Sequence, residues 1–314
     1  MPGPLVVLGP QRPNQNLSEV LQRSVTEPGA IAVISAGWRH DEADIGPLQA
    51  AMGRPSHHLA LYHWFDEIMR AHPGLKRSYR ARQDARLAHK LLYRIRVDAS
   101  LIAVRKLRAL YDSDPDGVWP ELQRAAKAVR RVDEDLMEEL DTIKERFPEL
   151  AAPWERPEVA PYLERIGSVV QDCAAIAIAG GHVAVLQNRL RFFGFDGLLT
   201  AWTRPIVAWS GGAMVLTDRI ALYYDDPPEG PGEAEVLGPG LGLLPGVVLF
   251  PHAERRLRME QTHRLSSLAI RFQPADCITL ENGAHLVRRD DAWHNDGVAG
   301  SALRIRPNGT LETL

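Results

Sequence analysis

One apolar segment of the sequence ends in a serine that two glycines follow. The stretch "IVAWSGGAM" covers residues 206–214 and places Ser210 directly before Gly211 and Gly212. A nucleophilic serine on a strand-to-helix turn usually lies in the pattern G-x-S-x-G, because small neighbours let the strained turn pack while the hydroxyl protrudes. Here Ala208 replaces the first glycine and Gly212 retains the last. The pattern predicts either a nucleophile or a small polar residue in a glycine-rich bend.

Two further apolar segments end in residues that suit hydrolytic chemistry. "AAIAIAGG" ends in Gly180 and Gly181, with His182 next, and a backbone without Cβ atoms can bring N–H groups close to an anionic oxygen. "GVVLFPH" ends in His252, a residue type that accepts protons near neutral pH. The alternatives are a tight turn without a ligand and an ordinary loop histidine. Functional groups collect at the carboxyl ends of parallel strands, which favours a shared site.

Strands and helices alternate at both ends of the chain. "PLVVLG" (4–9) and "AIAVIS" (30–35) predict strands on either side of the helical pattern "NLSEVLQRSV", and "HLALY" (58–62) predicts a third strand. After about residue 150, "VAVLQNRLRFFG" predicts a helix, "LAIRF" (268–272) a strand, and "DCITLENGAHLVRR" two strands around an Asn-Gly turn. This alternation predicts an α/β domain with a parallel sheet.

Residues 64–150 instead carry apolar residues at helical spacing on both sides of the break "DSDPDG", which predicts an antiparallel helical hairpin. The first arm is basic and the second becomes acidic, which favours ion pairs across the hairpin or with a second copy of the chain. The predicted stripes are Leu87, Leu91, Ile95, Leu101, Val104 and Tyr111 in the first arm, and Leu122, Ala126, Val129, Leu136, Leu140, Ile143 and Phe147 in the second. Because the first strands need the later ones as neighbours, we interpret the hairpin as an insertion and divide the chain into residues 1–63, 64–150 and 151–314.

The composition is that of an ordinary globular protein. Hydrophobic residues make up 45% and charged residues 25% of the 314 residues, and no apolar run approaches the roughly 20 residues that span a bilayer. With 37 basic and 40 acidic side chains, the net charge of −3 predicts no general attraction to nucleic acid or membranes. The amino terminus lacks the pattern of a signal peptide, so we expect a cytoplasmic protein.

Cysteine and histidine spacing predicts neither a metal site nor a cofactor. Cys173 and Cys277 are flanked by apolar residues and are expected to be buried free thiols. His57, His58 and His63 are close in sequence but lack a spaced set of cysteines or carboxylates. We therefore expect them to be surface histidines.

The ordered set of strand ends resembles the peptidase E and cyanophycinase family of serine peptidases, which share the fold of class I glutamine amidotransferases. The resemblance lies in the glycine pair at 180–181, "AWSGGAM", "GLGLLPGVVLFPH", and the arginines Arg256 and Arg258. It covers roughly residues 170–285 and implies a three-layer α/β sandwich with a mostly parallel sheet. The helical hairpin has no recognised counterpart.

The resemblance also implies roles for individual residues. Ser210 would be the nucleophile and His252 the general base, and backbone N–H groups of Gly181 and Gly211 would form the oxyanion hole. Asp225 matches an acidic position after the serine in the peptidase E branch.

The acidic residue that orients the histidine is where the sequence departs from the family. The family places it just after the strand equivalent to "LAIRF", whereas this chain has Gln273 and Pro274 there. Asp276 is the nearest carboxylate and is the predicted substitute, with Asp225 or Glu254 as alternatives. Without such a partner an imidazole loses the hydrogen bond that fixes its tautomer.

Two functional hypotheses follow. The first is a serine hydrolase that cleaves a peptide or amide bond in a small peptide, such as one with an aspartyl residue. Its substrate would contact Gly180, His182, Arg256 and Arg258. The second is a catalytically inactive amidotransferase-like scaffold whose helical hairpin binds a partner or forms a homodimer. A glutamine amidotransferase is disfavoured because that chemistry uses cysteine where this chain has serine.

Overall fold

Strands and helices alternate along most of the chain in the computed structural model, which describes residues 3–223, 233–289 and 292–314. The strands are β1 (Leu5–Leu8), β2 (Ala30–Ile34), β3 (Ser56–Leu59), β4 (Cys173–Ile178), β5 (Ile206–Trp209), β6 (Arg219–Leu222), β7 (Glu235–Pro239), β8 (Val247–Pro251), β9 (Asp276–Leu280), β10 (His285–Arg289), β11 (Ala292–Asn295), β12 (Leu303–Ile305) and β13 (Leu311–Thr313). The helices are α1 (Leu17–Ser24), α2 (Gly46–Met52), α3 (Leu61–Ala71), α4 (Pro73–Tyr111), α5 (Pro115–Arg146), α6 (Ala160–Val170), α7 (Val183–Phe192), α8 (Phe195–Ala201), α9 (Gly211–Met214), α10 (Ala253–Arg256) and α11 (Thr262–Phe272).

A seven-stranded sheet with the order β11-β10-β1-β5-β4-β2-β3 forms the centre of the fold. The strands β1, β5, β4, β2 and β3 are parallel to one another, whereas β10 and β11 are antiparallel to their neighbours. Every residue of β4 is buried, as expected for a parallel strand with both faces covered. The structure is therefore an α/β fold with a mostly parallel central sheet, as the alternating pattern predicted.

A second sheet, with the order β13-β12-β9-β8, carries the strand that precedes His252. Its strands β8 and β9 are parallel, and Pro251 lies opposite Leu280. The short helix α9, which follows β5 of the main sheet, packs against β8. This contact joins the carboxyl end of β5 to the second sheet.

One strand prediction in the second half of the chain is wrong, and another needs a different pairing. Residues 268–272 lie in α11, where Leu265, Leu268 and Phe272 are buried at helical spacing, and a five-residue segment is too short to reveal that period. The two strands predicted around the Asn-Gly turn are confirmed as β9 and β10, but they do not pair with each other, because β9 pairs with β8 and β12 whereas β10 pairs with β1. The turn instead connects the two sheets.

The region between β3 and β4 begins with helix earlier than predicted. β3 ends at Leu59, and α3 begins at Leu61, inside the segment 58–62 that was predicted as a strand. The long helices α4 and α5 follow, and the break between them at residues 112–114 lies within the predicted turn. The two helices pack against each other along their length.

The predicted apolar stripe of α5 is confirmed, but that of α4 divides into two faces. In α5 the stripe is buried from Leu122 to Ile143. In α4, Leu101 and Val104 are buried with Tyr93 and Val97, whereas Leu87, Leu91 and Ile95 are exposed. Residues ten apart, such as Leu91 and Leu101, differ by about 80° around a helix of 3.6 residues per turn, so they do not share a face.

Ion pairs between the two helices confirm the predicted pairing across the hairpin. Arg96 of α4 pairs with Asp135 and Glu139 of α5, and His89 Nδ1 lies 3.2 Å from Glu139 Oε2. These groups are partly exposed, so we assign each pair only a small contribution to stability.

A buried ion pair connects the hairpin to the rest of the fold. Asp133 of α5 is fully buried and accepts a hydrogen bond of 2.7 Å from Nε of Arg271 in α11. The hydroxyl of Tyr93 in α4 donates to the same carboxylate at 2.8 Å. Arg271 also donates to the carbonyl of Ala234 at 2.7 Å. Removing one partner of a buried pair leaves an uncompensated charge, so these contacts fix the hairpin against α11.

Both cysteines are buried free thiols, as predicted. In the described ranges, no helix combines the length and apolar character needed to cross a bilayer.

Candidate active site

Ser210 lies on a strained turn between β5 and α9. Its backbone has φ 50° and ψ −121°, a conformation that residues with a Cβ atom rarely adopt. The N–H of Ser210 donates to the carbonyl of Leu8 at 3.1 Å, which holds the turn at the end of β1. Such strain at a strand-to-helix turn is the geometry of a nucleophile elbow.

Glycines around Ser210 allow the backbones of β4 and β5 to approach closely. A Cβ atom at Gly212 would lie 2.2 Å from the carbonyl oxygen of Ile178, so no larger residue fits there without movement of the backbone. A Cβ at Gly180 would lie 3.1 Å from Cβ of Ser210, and one at Gly211 would lie 3.0 Å from the carbonyl oxygen of Gly181. The structure thus brings the predicted glycine pair and the predicted serine together.

His252 follows β8 in a left-handed conformation with φ 59° and ψ 38°. It lines a cavity of about 440 Å³ together with Ser210, Gly180 and Gly181. The N–H of His252 donates to the carbonyl of Leu280 at 3.1 Å, which fixes its backbone to the end of β9. The structure therefore places the predicted nucleophile and the predicted base on the wall of one open cavity.

Backbone N–H groups beside Ser210 have the freedom that an oxyanion hole needs. Gly211 is the first residue of α9, so its N–H has no partner within that helix. Among the described residues, no backbone carbonyl accepts a hydrogen bond from the N–H of Gly181, whose φ of 110° is accessible to glycine.

Asp276 is not near His252, which corrects its assignment as the acidic partner. It is the first residue of β9 and lies opposite Val247, whereas His252 follows the far end of β8. Its carboxylate is 3.2 Å from Nε of Arg304. The assignment assumed that residues 268–272 form the strand before the acid, but they form helix.

Glu281 is a carboxylate near His252 that the sequence analysis did not consider. It directly follows β9, and the pairing of Pro251 with Leu280 places it beside His252 at the same edge. Its Oε1 accepts a hydrogen bond of 2.8 Å from the N–H of Glu254, in the first turn of α10. Burial raises the pKa of the Glu281 carboxyl, and the N–H of Glu254 opposes this effect. When residues 262–272 are assigned to a helix, the strand that follows is "DCITL". The carboxylate directly after this strand is the sequence signal that could have identified Glu281.

The other predicted substrate contacts are not among the described residues that line the cavity. The Nδ1 atom of His182 accepts a hydrogen bond of 3.3 Å from the N–H of Val185 and caps α7. Neither Arg256 nor Arg258 is among the described residues that line the cavity. Asp225 lies outside the described residues, so its role stays a prediction.

Several cavity residues come from loops that the sequence analysis did not consider. Arg12 and Gln15 lie in the loop after β1, and Trp38 lies after β2; all three line the cavity with Trp209 and Leu48. Because β1 is parallel to β5, the loop after β1 opens on the same edge as Ser210. The position of this loop therefore follows from the pairing of β1 with β5, which the sequence analysis did not assign.

A second serine, histidine and glutamate cluster lies at the ends of β2 and β3. The Oγ of Ser35 is 3.0 Å from Nε2 of His58, and Oε1 of Glu42 is 3.9 Å from the same nitrogen. Burial lowers the pKa of His58 to about 4. Ser35 and Glu42 are both fully buried. Unlike Ser210, Ser35 has a φ of −129°.

The second cluster is a structural anchor for the amino end of α3. Oε2 of Glu42 accepts hydrogen bonds from the N–H groups of Tyr62 and His63 at 2.9 and 3.1 Å, and Nδ1 of His63 lies 3.1 Å from the same oxygen. The sequence analysis expected His58 and His63 to be surface histidines. Both are instead half-buried and lie within hydrogen-bond distance of other side chains. Among the described residues, no group of three or more histidine, cysteine or carboxylate side chains is placed to hold a metal ion.

Comparison with known proteins agrees with the resemblance seen in the sequence. Residues 157–295 match the family described as peptidase family S51, which confirms the resemblance to the peptidase E and cyanophycinase family over this segment. A similar solved structure is that of a peptidase from an acI-B1 Actinobacterium, at 14% sequence identity and a TM-score of 0.49. The match covers 100% of this chain and 94% of that chain. A search of curated proteins gave no match.

Proposed function

We propose, from the match of residues 157–295 to peptidase family S51, that this protein is a serine peptidase in which Ser210 attacks a peptide or amide carbonyl. The observation that carries the proposal is the positive φ of Ser210 at the mouth of the cavity that it shares with His252. Strain of this kind persists only where the surrounding structure maintains it, and it concentrates at functional sites. We also propose that the fold is of the class I glutamine amidotransferase type and that α4 and α5 are an insertion into it.

His252 is the proposed general base and acid. It takes the proton of the Ser210 hydroxyl as Oγ bonds to the carbonyl carbon, and it returns that proton to the leaving amine as the C–N bond breaks. Water then attacks the acyl ester with His252 again as base, which releases the acid product and regenerates the serine. The N–H groups of Gly181 and Gly211 are the proposed donors to the oxyanion in both stages.

Glu281 is the proposed positioning residue for His252. It directly follows Leu280 at the carboxyl end of β9, and this end lies beside the end of β8 that precedes His252. An ionised carboxylate next to the imidazole favours the charged ring that forms during acylation. Because burial raises the pKa of Glu281, we expect activity to fall with decreasing pH at a higher pH than for an ordinary glutamate.

The proposed substrate is a small peptide with a carboxylate on its acyl side. The cavity of about 440 Å³ lies toward the low end of the roughly 300–1,000 Å³ typical of small-molecule sites. Arg12 is an exposed cation on its wall and replaces Arg256 and Arg258 as the proposed carboxylate contact. Trp38 and Trp209 line the same cavity and are the proposed contacts for the apolar part of the substrate.

A serine-reactive fluorophosphonate tests the proposed nucleophile. We expect the native protein to be labelled at Ser210, and both Ser210→Ala and His252→Ala to lose the label. Ser35→Ala is the matched control, because Ser35 is also beside a histidine and a glutamate but is fully buried. Labelling that persists in Ser210→Ala, or that depends on Ser35, would contradict the proposal.

The inactive-scaffold alternative makes the opposite prediction for the same reagent. A folded parent protein that is never labelled, at any pH between 5 and 9, would favour the scaffold. Peptide libraries with aspartyl, glutamyl and neutral acyl residues then test the substrate class, with Arg12→Ala expected to raise KM for the acidic peptides alone. Equal KM changes for neutral peptides would exclude Arg12 as the carboxylate contact.

A further inference from the structure

The outer face of α4 is strongly apolar. Of the eight large apolar side chains exposed among the described residues, six lie on this helix. Leu87, Leu91 and Ile95 are 64%, 61% and 62% exposed and follow one another at four-residue spacing. The full set on α4 is Leu87, Leu91, Leu92, Ile95, Ile102 and Leu110. A row of exposed large apolar side chains of this kind on a globular protein marks a contact with another molecule.

This outer face is separate from the packing of α4 inside the protein. The inner face contributes Tyr93, Val97, Leu101 and Val104 to the core that α4 shares with α5. Both faces of the helix are therefore apolar, whereas a helix on the surface of a monomer normally has one polar face.

The outer face is complementary to itself when two copies lie antiparallel with Ile95 facing its own copy. In that register Leu91 lies opposite Ala99 and Ile102 lies opposite Ala88, so these two large side chains each meet a small one. Asp84 lies opposite Lys106 at both ends of the contact, which adds two pairs of opposite charge. Asp84, Ala88, Ala99 and Lys106 are all exposed. The contact would extend from residue 84 to 106, roughly 33 Å at 1.5 Å per residue.

A parallel arrangement lacks this complementarity. Each residue would then face its own copy, so Asp84 would lie beside Asp84 and Lys106 beside Lys106. Like charges in contact are destabilising, and the large side chains would meet one another instead of the alanines. Charge and size both favour the antiparallel register.

We propose that the protein forms a two-fold symmetric dimer through the outer face of α4, with the symmetry axis passing beside Ile95. The occupant of the apolar face is thus a second copy of the same chain, in an isologous contact. The dimer is independent of the proposed peptidase activity, since α4 supplies none of the cavity residues described above.

Sedimentation velocity of the full chain tests the dimer. We expect the parent to sediment as a dimer at micromolar concentration and the double variant Leu91→Glu, Ile95→Glu to sediment as a monomer, because four carboxylates would face each other across the axis. The dimer dissociation constant should rise by about 100-fold or more, the effect of removing central apolar contacts. Val298→Glu is the matched control, since Val298 is 64% exposed on another element. A parent that is monomeric at 100 μM, or a double variant that stays dimeric with unchanged circular dichroism, would overturn the proposal.

Single cysteines test the register. Ile95→Cys should form a disulfide-linked dimer under mild oxidation, because the axis places the two copies side by side. Leu87→Cys should not, since eight residues on each side of the axis separate its two copies by about 24 Å. The native Cys173 and Cys277 are buried and do not compete. Equal cross-linking at both positions would indicate parallel helices and contradict the two-fold arrangement.

A charge exchange provides a second test of the same register. Asp84→Lys should weaken the dimer by placing two cations together, and the double variant Asp84→Lys, Lys106→Asp should restore the parent affinity. If the second substitution does not rescue the first, the proposed register is wrong.

Discussion

The molecule contains two clusters of serine, histidine and glutamate at the ends of neighbouring strands, and they differ in access and backbone strain. Ser210 and His252 line an open cavity, with Glu281 next to the histidine in the strand register. Ser35 is fully buried beside His58 and in a relaxed conformation. The same residue types therefore line an open cavity in one place and hold a loop in the other. Access and backbone geometry, rather than composition, distinguish the two.

The largest expected difference comes from the two histidines. We expect His252→Ala to lower the rate constant of fluorophosphonate labelling by about 1,000-fold or more, since the hydroxyl loses its base. His58→Ala should leave that rate close to the parent value, because His58 contacts Ser35 and not the cavity residues. The labelling rates of the two variants are compared at pH 8, after circular dichroism has confirmed the fold. Equal loss in both variants would remove the distinction between the clusters.

Two carboxylates at opposite ends of β9 provide the next comparison. Glu281→Gln should lower the labelling rate by about 10- to 1,000-fold, because an amide does not stabilise a protonated imidazole. Asp276→Asn should change the rate little, since Asp276 contacts Arg304 at the other end of the strand. The pH profile separates a positioning role from loss of fold: a positioning role predicts that the profile of Glu281→Gln differs in shape from that of the parent, whereas loss of fold lowers the rate at every pH. A normal rate in Glu281→Gln would point to a carboxylate outside the described residues.

Glu42 should affect stability instead of labelling. Glu42→Ala leaves the N–H groups of Tyr62 and His63 without their acceptor, which should lower the free energy of unfolding by about 1–3 kcal/mol. Urea denaturation of parent and variant measures this difference at pH 7. A rate of labelling that falls as steeply as in His252→Ala would show that the second cluster also serves the active site.

A further expected effect on stability is a pH dependence from His58. Its pKa is about 4 in the folded protein, because burial disfavours the charged ring, and near 6.5 when unfolded. Between pH 6.5 and 4 the unfolded chain binds a proton at this residue that the folded chain does not, so stability decreases as pH falls through this window. His58→Gln should flatten that part of the curve of unfolding free energy against pH. An unchanged slope would show that His58 titrates normally.

Local sequence was sufficient for some of these features. The elbow at Ser210 and the break between α4 and α5 depend on glycine and proline within a few residues, so both were predictable. The position of Glu281 depends on which strand lies beside β8, and a single sequence does not contain that pairing. Taking residues 268–272 as a strand then placed the acid at Asp276, at the wrong end of β9.

The two faces of α4 show a related limit. Leu87 and Leu101 carry the same side chain in the same helix, but one is exposed and the other is buried. The apolar character of a side chain predicts burial for both leucines. Only the position of α5 determines which face of α4 is buried. Arg12 was missed for a different reason: a polar loop after β1 has no sequence signal of its own until the strand order is known.

The ion pair between Asp133 and Arg271 limits how the helical hairpin can be studied. Excising residues 73–146 would leave the guanidinium of Arg271, 3% exposed in the intact protein, against an uncovered apolar surface. The shortened chain would lose solubility or fold for reasons unrelated to any partner. The hairpin and α11 therefore depend on each other for a neutralised and covered contact.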